Sequence, residues 1–226
     1  TLFDLTVLVL LPNGDKIADI LAFKMITVSD MNQGKKQQIK KAASGSIRII
    51  AGKHRGRKLP VLMAEGLRPT TDRVKETVFN WLMPYIHDAN CLDCFAGAGS
   101  LGFEALSRGA AQVSLVELNK AAAKQLIANQ QLLKADNVVV SNTNVLDFLT
   151  TQTPHHFDLV FIDPPFRKNL VNQTCELLEN GWLTDQALIY VETEAENHQA
   201  LPSNWQLLKE KIAGQVAYRL YKRDSA

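Results

Sequence analysis

The pattern of apolar and polar positions divides the chain into three stretches. Residues 1–44 have a mixed pattern that ends in a polar, basic segment, so we expect an N-terminal extension that is flexible or not native. In residues 45–84, two short β-like runs precede apolar positions at helical spacing, which predicts a hairpin and a helix. From residue 85 to 226, strand-like and helix-like runs alternate, which is typical of a mostly parallel sheet with helices on its faces.

These runs give the expected bounds of each element. The hairpin strands are predicted at 47–51 and 58–62 and the first helix at 71–83; later strands are predicted at 91–95, 112–117, 138–141, 157–163 and 187–192, and later helices at 100–108, 119–133 and 169–180. The last two runs, 205–211 and 215–222, predict an antiparallel hairpin. Five parallel strands followed by an antiparallel pair form a Rossmann-like, seven-stranded sheet, the arrangement of class I S-adenosylmethionine (SAM)-dependent methyltransferases.

Charge is unevenly distributed, although the formal net charge of the chain is only +2. Residues 31–64 contain nine lysines or arginines and no acidic residue, so the rest of the chain carries a net charge of −7. A basic segment joined to an acidic body favours a polyanionic partner, and the alternative is an ordinary solvated charge run.

Cysteine usage and apolar run lengths indicate the compartment. Cys91, Cys94 and Cys175 lack the spacings of a disulfide framework, which predicts a reduced, cytoplasmic protein. We expect Cys91 and Cys94 to be core residues on a strand, and we predict no metal site. Since no apolar run reaches the roughly 18 residues needed to cross a bilayer, we expect no membrane association.

A glycine-rich turn follows the first strand of the α/β domain. Gly97, Gly99 and Gly102 let the backbone bend tightly and approach a ligand, and the next helix offers free N–H groups. Glu117 ends the following strand, where a carboxylate can accept both hydroxyls of a ribose. The pattern suits SAM and NAD enzymes alike, and a purely structural turn is the plain alternative. Asp93 favours SAM, because its carboxylate attracts the methionine amine or sulfonium and repels a pyrophosphate.

The tetrapeptide Asp163-Pro164-Pro165-Phe166 follows the fourth strand, at the edge where open α/β sheets bind ligands. Its prolines fix the backbone and leave the Asp163 carboxylate and the Pro164 carbonyl as acceptors for an exocyclic amine. An amine held there turns its lone pair toward a sulfonium methyl group, and Phe166 offers an apolar face to a base. The alternative is a proline-rich loop in which Phe166 plugs the core.

Longer runs point to one family. The chain from residue 45 to 223 resembles the bacterial small-subunit rRNA guanine-N2-methyltransferases, the D member of that series. The runs that carry the resemblance are Ile47-Arg-Ile-Ile-Ala-Gly, Arg55-Gly-Arg-Lys-Leu-Pro, Leu67-Arg-Pro-Thr-Thr-Asp-Arg-Val-Lys-Glu, Leu92-Asp-Cys-Phe-Ala-Gly-Ala-Gly, Asp163-Pro-Pro-Phe and Gly214-Gln-Val-Ala-Tyr-Arg-Leu-Tyr. The resemblance implies SAM-dependent methylation of N2 of one guanine of 16S rRNA, in the 30S subunit or an assembly intermediate. Residues 1–30 match nothing in that family.

The residues and the resemblance together predict three sets of contacts and a monomer. The catalytic set is Asp163, Pro164, Pro165 and Phe166. The expected cofactor-binding residues are Thr71, Asp93, Phe95, Gly97, Gly99, Glu117, Leu118, Asn144 and Val145, with Asp147 as an alternative to Asn144 beside the adenine amine. The expected RNA-binding residues are Lys53, Arg55, Arg57, Lys58, Arg68 and Arg73. The segment from Arg68 to Arg73 is expected to cap the pocket.

Three other functions fit part of this pattern. An adenine-N6-methyltransferase acting on DNA or RNA would use the same tetrapeptide, but the chain has no obvious large target-recognition domain. An NAD-dependent oxidoreductase would share the glycine turn. A non-catalytic RNA-binding assembly factor would keep the fold without the reaction, and the tetrapeptide beside the glycine turn argues against it.

Overall fold

The computed structural model of the chain describes residues 44–62, 72–166, 168–196 and 201–224. The predictions for residues 1–43, Arg68 and Thr71 lie outside these ranges. Within them, no helix is both long enough and apolar enough to cross a membrane.

A hairpin and a helix precede the α/β domain. The hairpin pairs β1 (Ser44–Arg48) with β2 (Lys58–Leu62) in antiparallel register, and α1 is Asp72–Leu82. The strands of the domain are β3 (Asn90–Asp93), β4 (Gln112–Val116), β5 (Val138–Ser141), β6 (Phe157–Ile162), β7 (Leu183–Glu194), β8 (Trp205–Ala213) and β9 (Val216–Arg223). Its helices are α2 (Ser100–Ser107), α3 (Lys120–Leu133), α4 (Val145–Thr151) and α5 (Leu170–Leu178).

The seven later strands form one sheet in the order β5-β4-β3-β6-β7-β9-β8. The first five of these are parallel, and β9 pairs antiparallel with both β7 and β8. The predicted class I arrangement is therefore confirmed. Because β3 and β6 are neighbours, the loops that follow them meet at the carboxyl edge of the sheet, where open α/β sheets bind ligands.

Both faces of the sheet are buried, which explains the continuous apolar run of β6. Leu159 and Phe161 pack into the core that the hairpin, α1, α2 and α3 cover. Val160 and Ile162 pack into the opposite core, under α4 and α5. All eight residues of α2 are buried, since this helix is enclosed between the sheet and the N-terminal hairpin and helix.

The first hairpin strand ends three residues before its predicted end. The backbone N–H groups of Ile50 and Ala51 donate to the Glu104 carboxylate, at 2.8 and 3.1 Å, instead of extending the ladder. Local alternation could not show this, because the acceptor lies more than 50 residues away along the chain.

Two further elements differ from the prediction. Helix α4 was missed, since its seven residues are too few for a helical period to stand out. It begins after Asn144, whose side-chain oxygen accepts the Leu146 N–H at 2.9 Å. Strand β7 begins at Leu183, four residues before the predicted start.

The three cysteines are buried and unbridged. Burial raises the pKa of each thiol. The prediction that Cys91 and Cys94 belong to the core is confirmed.

Candidate active site

A cavity of about 1520 Å³ opens at the carboxyl edge of the sheet. Its walls are the loops after β3, β4, β5 and β6, the end of β2, part of α1 and the tip of the β8–β9 hairpin. The predicted site residues that line it are Arg73, Asp93, Phe95, Gly97, Glu117, Leu118, Asn144, Val145, Asp163, Pro164, Pro165 and Phe166. Two distant stretches of sequence, the glycine turn and the tetrapeptide, therefore share one cavity.

The glycine turn between β3 and α2 depends on missing side chains. Gly97 and Gly99 have φ values of 51° and 78°, in the left-handed region. A Cβ on Gly99 would lie 2.6 Å from the Phe103 ring, and one on Gly102 would lie 2.2 Å from Leu115 Cδ2. Gly102 thus lets α2 approach β4 closely. Gly97 lines the cavity, whereas Gly99 is buried behind the lining and acts through the shape of the turn.

Glu117 joins two loops of the cavity. Its Oε2 accepts the Gly97 N–H at 2.7 Å, and its Oε1 accepts the Asn119 N–H at 2.6 Å. A carboxylate has about four acceptor positions, so these bonds leave capacity for two further donors. The adjacent Leu118 side chain is 70% exposed and provides an apolar wall beside those acceptors.

Two buried polar groups at the turn face the same cavity. Asp93 accepts the Gly102 N–H at 3.1 Å, and burial, followed by the charge of Asp163, raises its pKa to about 7. The Ser100 hydroxyl at the start of α2 is buried and has no hydrogen-bond partner among the residues that the structure describes. An unpaired buried polar group at a helix N-terminus is suited to contact a polar ligand.

The tetrapeptide directly follows β6. The Phe166 side chain is 42% exposed and lines the cavity, so the alternative in which it plugs the core is wrong. Burial raises the pKa of the Asp163 carboxyl. Asp93 pairs with Phe161 of the neighbouring strand, two residues before Asp163, and both acids line the cavity. The Asp163 charge accordingly contributes to the raised pKa of Asp93.

A fourth carboxyl group of the cavity, that of Glu192, was not predicted from the sequence. It lies on β7, is buried, lines the cavity, and accepts the Tyr190 hydroxyl on Oε1 at 2.7 Å. Ile162 pairs with Val191, so the next residues along the two strands, Asp163 and Glu192, are neighbours. Burial, followed by the charge of Asp163, raises the pKa of Glu192. One signal in the sequence could have indicated Glu192: it directly follows the apolar run 187–191, at the carboxyl end of a predicted strand.

The tip of the β8–β9 hairpin is a second missed wall of the cavity. Lys211 and Ile212 line it, and Lys211 Nζ donates to Thr77 Oγ1 of α1 at 3.3 Å. Ile212 is 57% exposed, which adds it to Leu118 and Phe166 as apolar groups open to a ligand. These groups suit flat, apolar faces such as those of nucleobases.

The predicted RNA-binding residues fall into two places. Lys53, Arg55, Arg57 and Lys58 are exposed on the N-terminal hairpin and are not among the cavity-lining residues, whereas Arg73 is exposed and lines the cavity. Of the segment 68–73, which was predicted to cap the pocket, the structure describes only residues 72 and 73. Asp147, the alternative to Asn144, is exposed and does not line the cavity.

The raised carboxyl pKa values predict how stability depends on pH. An acid whose pKa is raised by folding binds more protons in the folded state, so the free energy of unfolding falls as pH rises above its ordinary pKa. For Glu192 that decline begins near pH 4.5. We expect Glu192→Gln to be more stable than the wild type at pH 8, by about 1 kcal/mol or more, and to differ less at pH 5.

Urea unfolding at the two pH values measures this difference, with the exposed Glu196→Gln as a matched control. Equal stability differences at pH 5 and pH 8 would contradict the assignment of a buried, destabilising charge to Glu192.

Sheet order, terminal antiparallel hairpin and glycine turn together define a class I SAM-dependent methyltransferase fold. The tRNA m1G37 methyltransferase of M. jannaschii shares this fold at 13% identity, with a TM-score of 0.59 over 82% of this chain and 58% of that one. A structure from Escherichia coli, of a protein named as a methyltransferase, has a TM-score of 0.75 and 57% identity over 80% of this chain and 100% of that one.

Sequence comparisons identify the family. A family model described as Conserved hypothetical protein 95 matches residues 47–222. Ribosomal RNA small subunit methyltransferase D of Escherichia coli K12 is 59% identical over 187 residues, which span 81% of this chain and 93% of the relative. The protein of the same name from Haemophilus influenzae is 60% identical over 184 residues, 80% of this chain and 95% of the relative. The chain therefore belongs to the ribosomal RNA small subunit methyltransferase D family, and the predicted resemblance is confirmed.

Proposed function

We propose that this chain transfers a methyl group from SAM to the N2 amine of one guanine of 16S rRNA. One observation carries the proposal: the Asp163-Pro164-Pro165-Phe166 tetrapeptide and the glycine turn line the same cavity, in a chain of this family. We further propose that the substrate is the 30S subunit or an assembly intermediate, and that the protein acts as a monomer in the cytoplasm.

The residues of the cavity fit SAM. Asp93 and the buried Ser100 hydroxyl suit its methionine part, the Glu117 acceptors suit its ribose, and Leu118 suits one face of its adenine. Asn144, whose side chain also caps α4, is the proposed contact for the adenine amine. When bound, SAM supplies a methyl group on a positively charged sulfur. Because the sulfur leaves as a neutral thioether, the leaving group needs no further activation.

The tetrapeptide positions the target amine. The Asp163 carboxylate and the Pro164 carbonyl accept the two hydrogens of N2, so the nitrogen lone pair points away from them, toward the methyl group. The exposed Phe166 ring stacks on the flipped base. With SAM bound, an N–C bond would form as the S–C bond breaks, the electron pair would stay on sulfur, and one amine proton would leave to water.

The test is methylation of 30S subunits that lack the modification, with labelled SAM and the full chain. Mass spectrometry of the digested rRNA is expected to show N2-methylguanosine at a single position. N6-methyladenosine would overturn the choice of base. Binding of NAD but not SAM in calorimetry, or RNA binding without any methylated product, would overturn the enzyme assignment.

A further inference from the structure

The segment 52–57, here called the basic loop, is fixed to the far end of α2. The Lys53 backbone N–H donates to the Ser107 carbonyl at 2.7 Å, and the His54 N–H donates to Ser107 Oγ at 2.9 Å. Ser107 Oγ in turn donates to the Ala51 carbonyl at 2.5 Å. Ser107 therefore bonds to the backbone of three residues of this segment, Ala51, Lys53 and His54.

A buried carboxylate holds the two residues that precede the basic loop. Glu104 is fully buried, and its two oxygens accept the N–H groups of Ile50 and Ala51. Its charge is matched by Arg108, whose Nε donates to Oε1 at 2.8 Å. Since Glu104 and Ser107 are three residues apart on a helix, they present one face to the hairpin.

Gly52 shows how closely the two segments approach. It has a φ of 79°, and a Cβ built on it would lie 1.7 Å from the Ser107 carbonyl oxygen. No side chain fits there without moving the backbone. The conformation of the basic loop is thus set by contacts with α2 and not by the loop alone.

This docking holds positive charges together. Lys53, Arg55 and Arg57 are exposed, and none of them takes part in the ion pairs found among the described residues. Burial lowers the pKa of His54, and the charges of Lys53 and Arg57 lower it further. Fixing like charges side by side opposes folding, and a polyanion bound to them would remove that repulsion.

The basic loop is distant from the cavity. Ser100, at the start of α2, lines the cavity, whereas Ser107, at its end, holds the loop. Seven helical steps separate them by roughly 10 Å. The hairpin residues that reach the cavity, Val61 and Leu62, are at the opposite end of β2 from the loop.

We propose that the basic loop is a preorganised anchor for RNA phosphates at least about 10 Å from the methylated base, and that Glu104 and Ser107 are its positioning residues. A stacked strand rises about 3 Å per nucleotide, so the anchored phosphates lie three or more nucleotides from the target, or on another strand of a folded RNA. The inference rests on the proposed function and adds where the substrate is held.

The test compares Ser107→Ala and the double variant Arg55→Ala/Arg57→Ala with the wild type. The control is Lys209→Ala, which removes an exposed charge from β8, an outer strand of the sheet. Two RNAs are used: the 30S subunit, and a five-nucleotide RNA with the target guanine at its centre. Binding is measured over a range of salt concentrations, and KM and kcat are measured with saturating SAM.

We expect Ser107→Ala to raise KM for the 30S subunit about fivefold or more, with kcat and SAM affinity unchanged. The arginine double variant should lower the magnitude of the slope of log K against log salt by roughly one for each lost phosphate contact. Binding of the short RNA should not change in either variant. Lys209→Ala should resemble the wild type throughout.

Loop variants with unchanged KM and salt dependence on the 30S subunit, or with equal losses on both RNAs, would overturn the distant anchor. Failure of the proposed function would look different, because the wild-type protein itself would then form no N2-methylguanosine.

Discussion

Replacing Asp163 with alanine is expected to reduce methyl transfer by about 10³-fold or more while leaving SAM affinity within a few-fold of the wild type. The variant removes one of the two proposed acceptors of the amine, so the nitrogen lone pair should no longer be held in line with the methyl group. It also removes a carboxyl group whose charge raises the pKa of both Asp93 and Glu192, so repulsion among these acids decreases. The protein should therefore fold.

Two measurements check this prediction: single-turnover methylation of the 30S subunit, and calorimetric titration with SAM. Asp158→Ala is the matched control, since Asp158 is an acid near the other end of the same strand and accepts the Asn90 N–H at 2.9 Å. Asp163→Asn keeps an acceptor oxygen without the charge, and it should fall between the wild type and the alanine variant. Wild-type turnover in Asp163→Ala would remove Asp163 from the catalytic set.

Replacing Glu117 with alanine should weaken SAM binding by about 10- to 100-fold or more. A hydrogen bond to a charged group contributes roughly 1.5–3 kcal/mol, and every 1.4 kcal/mol is a factor of ten in affinity. The variant also frees the Gly97 and Asn119 N–H groups that the carboxylate now accepts, so the two loops lose their connection. At saturating SAM, kcat should change much less than the dissociation constant.

A 2′-deoxyribose analogue of SAM separates the ribose contact from the loop contact. If Glu117 accepts the ribose hydroxyls, the wild type discriminates against the analogue and Glu117→Ala loses that discrimination. The exposed Asp136→Ala serves as the control acid before β5. Unaltered discrimination in Glu117→Ala would leave Glu117 with a structural role only.

Structural features that depend on residues close together in the sequence were predictable. The tetrapeptide and the glycine turn are each a few residues long, and their place at the carboxyl edge of the sheet follows from the strand that precedes each. Strand β6 was predicted to within one residue of its observed end, because burial on both faces produces an uninterrupted apolar run. The parallel direction of the first five strands of the sheet was predicted from the alternation of strands and helices.

Features that arise from folding were not predictable. Glu192 becomes part of the cavity only because β7 lies beside β6. The role of Glu104 depends on the hairpin, whose backbone N–H groups donate to its carboxylate. Lys211 and Ile212 reach the cavity through the antiparallel hairpin that ends the sheet. In each case the partner is distant along the chain, so no local pattern records the contact.

The order of the strands also bears on self-association. Among the described strands, β5 and β8 are the outer two of the sheet, and an outer strand has unpaired backbone groups that can bond to a strand of another copy. Strand β5 is only four residues long, and β8 carries three consecutive exposed charged residues, Lys209, Glu210 and Lys211. Short or charged outer strands oppose edge-to-edge pairing. These two strands therefore disfavour growth of the sheet into an intermolecular one, which agrees with the proposed monomer.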